Sequence, residues 1–263
     1  DTNLTQSIFD KIINLDSFEK LTTLVLRSNN IQSISQNKFS KLASLFHLDF
    51  SYNNISFIEN LSFLKNEKLV QLNFSFNKIK SFKQDLFGNN LKSLFNLEYL
   101  DLKYNELEEF DLIFLYFVPN SQCLNLENNY LDYFPKGLIK SSSLPCLLIK
   151  QNKLKIIQNN YFLSNPNFFH AIFSQNNISF IQPFSFSKLS SLRYLDLSYN
   201  HLSYLDINTF IGLYGLNYLN LSHNLINYIQ KDLFGEILSL EILDLSYNLI
   251  KYFEENSFLN LNS

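Results

Sequence analysis

One pattern, L-x-x-L-x-L-x-x-N-x-L, recurs ten times along the chain, and this periodicity restricts the fold more than any other feature. Its asparagines follow one another at intervals of 24, 24, 28, 24, 23, 24, 24, 24 and 24 residues. A fixed period of about 20 to 50 residues is typical of a solenoid, because each unit must bury its apolar side against its neighbours. The sequence therefore predicts a stack of similar turns.

Within a unit, apolar and polar residues alternate as they do in a short, half-buried strand. In the stretch LRYLDLSYNHL, Leu195 and Leu197 alternate with Asp196 and Ser198. The leucines at positions 1, 4 and 6 are expected to face the core, whereas positions 2, 3, 5, 7 and 8 face solvent. The asparagine at position 9 lies where the chain leaves the sheet, and its amide can both donate and accept there. We expect a structural ladder of these asparagines: Asn29, Asn53, Asn77, Asn105, Asn129, Asn152, Asn176, Asn200, Asn224 and Asn248.

These repeats resemble leucine-rich repeats of the 24-residue typical kind, and the resemblance covers Leu21 to Ser263. It implies a β-rich α/β-solenoid: a curved horseshoe with a parallel sheet on the concave side and an irregular convex side. Residues 21–263 are expected to form ten repeats in one continuous solenoid, and residues 1–20 a partial or divergent repeat that ends at Phe18. Such repeats are similar to the ectodomains of Toll-like receptors, chaoptin-like adhesion proteins and Slit-type guidance proteins.

The resemblance implies a non-catalytic module that recognises a protein or another macromolecular ligand, outside the cell or at its surface. Immune and adhesive roles both stay open. The alternative is an intracellular scaffold, or the targeting segment of a larger enzyme such as a ubiquitin ligase. Related ectodomains carry cysteine-rich caps that this chain lacks, so we expect it to be a fragment flanked by further repeats or capped by another protein.

Composition argues against several other functions. The formal charge is −3 and basic clusters are absent, so nucleic acid is not a favoured partner. The sequence contains no stretch of eighteen apolar residues, so it predicts no membrane span. The chain has no phosphate-binding glycine loop and no HExxH motif, and its histidines lie on separate strands or turns. We expect no enzyme activity, no metal and no cofactor.

The candidate site lies at position 5 of the repeat, where Leu148 and Ile172 interrupt a mostly polar column. An apolar patch with a polar rim is typical of a binding surface. Ordinary sequence drift is the alternative. The predicted ligand-binding residues, all on the concave face, are Tyr99, Lys103, Cys123, Glu127, Cys146, Leu148, Lys150, Phe169, His170, Ile172 and Tyr194.

The two cysteines, Cys123 and Cys146, both occupy position 3 of adjacent repeats. Neighbouring strands lie close enough for a disulfide, but parallel side chains give poor geometry. Two free, partly packed thiols are therefore favoured over a disulfide. Lys103, Glu127 and Lys150 are expected to form a row of alternating charge at position 7.

Other surface features have weaker predictions. The repeats near the candidate site are irregular, in the stretch DLIFLYFVPN at 111–120, around Pro135 and Gly137, and in an insertion within 88–95. Aromatic residues recur at position 8 and are expected to belong to the repeat itself. Glycosylation sequons occur about as often as chance predicts, at Asn3, Asn54, Asn60, Asn73, Asn177 and Asn220. They carry no argument for secretion.

Overall fold

The computed structural model describes residues 5–12, 18–88, 96–110, 123–133, 144–159, 161–162, 167–258 and 261. The chain separates into two compact units, Asp1–Tyr130 and Leu131–Ser263. The irregular stretch at 111–120, the insertion at 89–95, and the segment that contains Pro135 and Gly137 lie outside the described residues.

The first unit begins with a short α-helix near the N-terminus, and a series of short strands follows it. Its elements are α1 (Gln6–Ile12), β1 (Thr23–Val25), β2 (Ser33–Ile34), β3 (His47–Asp49), β4 (Phe57–Ile58), β5 (Gln71–Asn73), β6 (Ser81–Phe82), a 3₁₀ turn (Gln84–Leu86), β7 (Tyr99–Asp101), β8 (Glu109–Phe110) and β9 (Cys123–Asn125).

The second unit repeats the same alternation of a three-residue strand and a two-residue strand. Its elements are β10 (Cys146–Leu148), β11 (Ile156–Ile157), β12 (His170–Ile172), β13 (Phe180–Ile181), β14 (Tyr194–Asp196), β15 (Tyr218–Asn220), β16 (Tyr228–Ile229), β17 (Ile242–Asp244) and β18 (Tyr252–Phe253).

The three-residue strands form the principal sheet of each unit, and they pair in parallel in chain order. The order is β1-β3-β5-β7-β9 in the first unit and β10-β12-β14-β15-β17 in the second. Equivalent repeat positions lie side by side, as Leu24 and Leu48 do in one unit and Leu195 and Leu219 in the other. The predicted solenoid of parallel strands is confirmed. The two-residue strands pair separately along the side of the stack, as β2-β4, β6-β8, β11-β13 and β16-β18.

Leucines of the principal strands and phenylalanines of the return segments fill the core. Leu195 and Leu197 are fully buried, as the alternation predicts. In the first unit the Phe63 ring stacks on Phe39 at 5.6 Å and is tilted against Phe87 at 5.3 Å between centroids. Burial of each such side chain stabilises the fold by about 1.5–3 kcal/mol. Because these rings touch the next repeat, the core is continuous within a unit.

The ninth-position asparagines bond each repeat to the one before it. Nδ2 of Asn200 donates to the carbonyls of Phe173 and Leu197, both at 3.0 Å, and its Oδ1 accepts the N–H of Ile178 at 2.9 Å. Nδ2 of Asn29 and of Asn152 donates to carbonyls of its own repeat. The full set of bonds to the preceding repeat recurs at Asn53, Asn77, Asn105, Asn129, Asn176, Asn224 and Asn248.

The N-terminal helix covers the core of the first repeat. Phe9 of α1 is fully buried, with its ring 6.4 Å from Phe39 and 6.1 Å from Phe50. Oε1 of Gln6 accepts the backbone N–H groups of residues 32 and 33, beside strand β2. Phe18, which the sequence suggests as the end of an earlier repeat, is exposed.

Candidate ligand-binding surface

The fifth position of the repeat carries a structural hydrogen bond. In seven of the ten repeats it holds Asp or Asn, whose Oδ1 accepts the backbone N–H two residues later; the distance is 2.9 Å from Asp196 to Ser198. Such Asx turns satisfy an N–H at the point where the strand ends. The signal in the sequence was the restriction to two residue types that share an acceptor oxygen. The seven are Asp49, Asn73, Asp101, Asn125, Asp196, Asn220 and Asp244.

Three repeats replace this acceptor with a hydrocarbon, at Val25, Leu148 and Ile172. Leu148 and Ile172 are partners in the register of β10 and β12, and both side chains are half-buried. A hydrocarbon side chain cannot accept the N–H at position 7. Each of these repeats therefore lacks a bond of the kind that contributes about 0.5–1.5 kcal/mol elsewhere.

Aromatic side chains of the second unit surround Leu148 and Ile172. Phe169 and His170 are exposed, and His170 lies beside Tyr194 in the register of β12 and β14. The Tyr194 ring stacks on Tyr218 at 4.4 Å and lies 5.8 Å from His170. We call the surface formed by Leu148, Phe169, His170, Ile172, Tyr194 and Tyr218 the sheet-face patch. It joins an apolar centre to a row of stacked rings.

The edge of the sheet-face patch offers hydrogen-bond donors and one carboxylate. The pKa of the Tyr194 phenol is raised to about 12, mainly by burial and further by the neighbouring Asp196 carboxylate. The hydroxyl keeps its proton at neutral pH and is hydrogen-bonded to Tyr218. Asp196 lies beside Ile172 in the register, so a charged group borders the apolar centre directly.

The two cysteines and the residues at position 7 differ from what the sequence predicts. Cys146 is buried, at 5% exposure, so it lies beneath the surface rather than on it. Both Cys146 and Cys123 are disulfide-bonded, and the preference for free thiols was wrong. Position 7 was expected to face solvent, but five of its six serines, including Ser174 and Ser198, are buried, and Ser246 of the last repeat is exposed. Lys150, at the same position, stays half-buried because its longer side chain reaches outward.

The predicted site residues of the first unit form a polar cluster around one buried carboxylate. Asp101 is only 2% exposed, and it accepts from the Tyr99 hydroxyl at 3.1 Å and lies 3.4 Å from Lys103 Nζ. The pKa of the Tyr99 phenol is raised to about 12, mainly by burial and further by the Asp101 carboxylate. Lys103 thus ion-pairs within its own repeat. Cys123 lies beside Tyr99 in the register, and Glu127 and Cys123 are half-buried.

The eighth position is a left-handed turn in every repeat, with φ between 52° and 57° at all ten residues. Aromatic rings at this position stack on one another, as Tyr52, Phe76 and Tyr104 do at 4.2 and 4.3 Å. Tyr199, His223 and Tyr247 stack in the same way at 4.0 and 4.2 Å. Both faces of the Phe76 and His223 rings are occupied by neighbouring rings, whereas Tyr52, Tyr104, Tyr199 and Tyr247 at the ends of the stacks are exposed. That the position-8 rings belong to the repeat itself stays a prediction.

The sequons differ in how accessible their amides are. Asn60 and Asn177 are exposed, whereas Asn73 and Asn220 are half-buried and use Oδ1 in the position-5 bond. Nδ2 of Asn54 donates to Asn30 at 2.6 Å. Asn3 lies outside the described residues.

Within the described ranges, no group of three or more His, Cys, Asp or Glu residues is placed to hold a metal ion. Across the same ranges, the helices are all too short or too polar to cross a membrane. The absence of a cofactor and of catalysis stays a prediction.

Comparison with protein families links the chain to one of them. The model described as "Leucine rich repeat" matches residues 19–79, 142–202, 172–226, 198–250 and 215–263, which is well over half of the sequence. Curated protein sequences include no significant match.

Solved structures with the same fold include Toll and other leucine-rich repeat proteins. Toll in the Toll–Spatzle complex of Drosophila superimposes with a TM-score of 0.82 at 20% identity, over 98% of this chain and 33% of that one. The leucine-rich repeat domain of APL1B gives 0.73 at 20% identity, over 97% and 69%. A leucine-rich repeat protein of Leptospira interrogans gives 0.64 at 25% identity, over 90% and 63%. The chain thus spans about a third of the Toll chain, and these likenesses establish the fold.

Proposed function

Because the chain belongs to the leucine-rich repeat family, we propose that it is a non-catalytic recognition module that binds a protein ligand through the sheet-face patch. One observation carries this proposal. Leu148 and Ile172, which are neighbours in the sheet, both replace the Asp or Asn that supports the turn in seven other repeats.

Drift is the competing explanation, and energetics weigh against it. Each replacement removes an acceptor that contributes about 0.5–1.5 kcal/mol, so two adjacent replacements carry a stability penalty. Both substitutes are large and apolar, and Phe169 beside them is also exposed. Binding sites often keep residues that lower the stability of the fold. The loss of two turn hydrogen bonds at an exposed apolar surface therefore supports a binding role.

The chemistry of the sheet-face patch indicates what kind of ligand it fits. Apolar side chains at the centre with a tyrosine rim match the usual anatomy of a protein interface, in which central anchors provide most of the binding energy. Tyr194 and Tyr218 present rigid rings with few rotatable bonds, and Asp196 adds a negative charge. The expected ligand is a protein segment with an apolar anchor and an adjacent basic or donor group.

We place this module outside the cell, in the ectodomain of a Toll-like or adhesion-type receptor. Disulfides persist in oxidising compartments, and both cysteines of this chain are disulfide-bonded. Toll itself is described in complex with Spatzle, which supports a protein ligand for this chain. The intracellular scaffold remains the alternative outcome of the test below.

Substitution of Leu148 by Asp tests the role of this residue in stability and in ligand binding. Asp restores the position-5 acceptor, so Leu148→Asp should melt at or above the wild-type temperature while ligand capture falls by about tenfold or more. Val25→Asp is the matched control, because it makes the same change at the same repeat position in the first unit. It should keep full capture, and its gain in stability should be smaller, because Asp49 lies beside position 25 in the register and adds a like charge.

Capture is measured on the whole chain with a photo-crosslinking residue at position 172, against secreted proteins and against a cytosolic extract of the source cells. Leu148-dependent capture from the secreted pool supports the proposal. Equal capture by wild type and Leu148→Asp would refute the site. Leu148-dependent capture confined to the cytosolic pool would favour the scaffold alternative.

A further inference from the structure

A second exposed apolar surface lies on the side of the second unit, away from the principal sheet. Position 13 of five consecutive repeats holds Ile156, Phe180, Tyr204, Tyr228 and Tyr252, which we call the lateral row. Four of these side chains are between 39% and 58% exposed, and Tyr228 is half-buried. In four of the five repeats the neighbouring residue at position 14 is buried (Ile157, Ile181, Leu205 and Ile229), so the alternation places the row outward there; Phe253 in the last repeat is exposed as well.

The lateral row is specific to the second unit. Position 13 of the first four repeats holds Ser33, Phe57, Ser81 and Glu109, of which one is aromatic, whereas the fifth repeat, whose position 13 already lies in the second unit, holds the exposed Tyr133. A general enrichment of aromatic residues in this chain would have placed them in both units. Five apolar residues in succession at a position that the fold leaves exposed therefore call for a covering surface.

The lateral row has the size of the centre of an interface. Each exposed tyrosine or phenylalanine presents roughly 100 Å², so the row offers on the order of 500 Å² of largely apolar surface. A stable interface buries about 800 Å² on each partner, and the polar side chains at positions 12 and 15 on either flank supply the remainder. The largest exposed patch of a typical monomer is about 300–600 Å², and such patches are often functional.

The charged residues on the two sides of the lateral row indicate which partner would cover it. Lys251 precedes Tyr252 on one flank, and Glu254 and Glu255 follow it on the other. Glu254 is engaged by the Tyr228 hydroxyl and the N–H of Lys231, whereas Lys251 and Glu255 are exposed. A two-fold axis that runs along the row would place each flank against the opposite flank of a second copy. Lys251 of one copy would then meet Glu255 of the other, twice.

We propose that the lateral row is the contact surface of a symmetric homodimer of this chain. The two copies pack row against row, so that Tyr204 meets its own counterpart, and the Lys251–Glu255 pairs close the interface on both sides. A two-fold interface uses the same patch on both subunits, and such a rotation brings Lys251 on one flank against Glu255 on the other. A lipid surface would instead favour basic residues on both flanks, and the net charge of the chain is −3. The proposal does not depend on the sheet-face patch.

Sedimentation of the full chain over a concentration series up to about 100 µM tests this assembly. Wild type should form dimers, and Tyr204→Glu should weaken them by about tenfold or more, because it places two carboxylates opposite each other on the axis. Phe57→Glu is the matched control at position 13 of the first unit, and it should dimerise like wild type. Circular dichroism melts check that both variants remain folded.

Charge reversal tests the two-fold geometry independently. Lys251→Glu and Glu255→Lys should each weaken the dimer, since each creates two like-charge contacts. An equimolar mixture of the two variants should recover dimers, because every contact then joins opposite charges. A wild-type chain that stays monomeric throughout the series overturns the proposal. Equal loss in Phe57→Glu, or a mixture that stays dissociated, would do so as well.

Discussion

At the level of single residues, the repeat distinguishes asparagine from aspartate by the hydrogen bonds that each position requires. The ninth position needs a donor and an acceptor together, because Asn200 donates to three backbone carbonyls and accepts one N–H. The fifth position needs an acceptor alone, as the bond from Ser198 N–H to Asp196 shows. This explains why the ninth position is asparagine in all ten repeats, while the fifth position holds either Asp or Asn in seven of them.

The distinction predicts opposite outcomes for two conservative substitutions. Asn200→Asp should lower the free energy of unfolding by about 3 kcal/mol at neutral pH, because it turns a buried carboxylate toward carbonyl oxygens. Asp196→Asn should change it by less than about 0.5 kcal/mol, since the acceptor oxygen is kept. Urea unfolding of both variants measures the difference, and equal losses would contradict it.

The same substitution has a defined dependence on pH. Burial without donors raises the pKa of a carboxyl group above its unfolded value. Asn200→Asp should therefore regain stability as the pH falls through that raised pKa, the reverse of an ordinary ion-paired aspartate. The wild-type chain should lack this recovery when both are unfolded in urea across the acid range.

At the scale of the element, the left-handed turn at position 8 ends each principal strand after three residues. Glycine and asparagine adopt positive φ at low cost, yet five of the ten residues here are Tyr or Phe. Stacking offsets the strain, since Phe76 lies 4.2 Å from Tyr52 and 4.3 Å from Tyr104. Aromatic pairs in this arrangement contribute about 0.5–1.5 kcal/mol beyond their burial.

Substitutions at Phe76 separate the backbone effect from the stacking. Phe76→Ala should destabilise the chain by about 2 kcal/mol, because it loses the stacking and keeps a residue that disfavours positive φ. Phe76→Gly loses the same stacking but relaxes the backbone, so it should be about 1 kcal/mol more stable than Phe76→Ala. Thermal melts of the pair give the comparison. An alanine variant as stable as the glycine variant would show that the turn is unstrained.

At the same scale, the strands were predictable and the turn chemistry was not. A period of 24 residues, combined with alternation around Leu195, places every principal strand at positions 3 to 5, and β14 lies there. The alternation reports only which face a side chain takes along a strand. It assigned position 7 to solvent, although the chain already turns there and Ser198 is buried. The bond between positions 5 and 7 runs across that turn, so a strand pattern cannot reveal it.

For the molecule as a whole, contacts distant from the repeat pattern were beyond the sequence. The α1 helix carries no repeat signature, so nothing in the period shows that Phe9 fills the core beside Phe39. The disulfide state of Cys123 depends on side-chain geometry that spacing does not determine. The lateral row was legible at position 13, but only the buried position 14 beside it shows that the row faces outward. The sheet-face patch was identified from Leu148 and Ile172, and its stability penalty became visible through the hydrogen bonds of the other repeats.

Continuity of the repeats from residue 21 to 263 stays a prediction, and unfolding can test it. In a solenoid each repeat is stabilised by its neighbours, so a defect in one repeat weakens the whole array when the array is continuous. Phe50→Ala and Phe173→Ala each remove a fully buried ring, one in each unit, at a cost of about 3–5 kcal/mol. In a continuous solenoid both variants should shift one common calorimetric transition downward by similar amounts. If Phe50→Ala instead separates the thermogram into a shifted and an unshifted peak, the two units unfold independently and the prediction of one continuous solenoid is wrong.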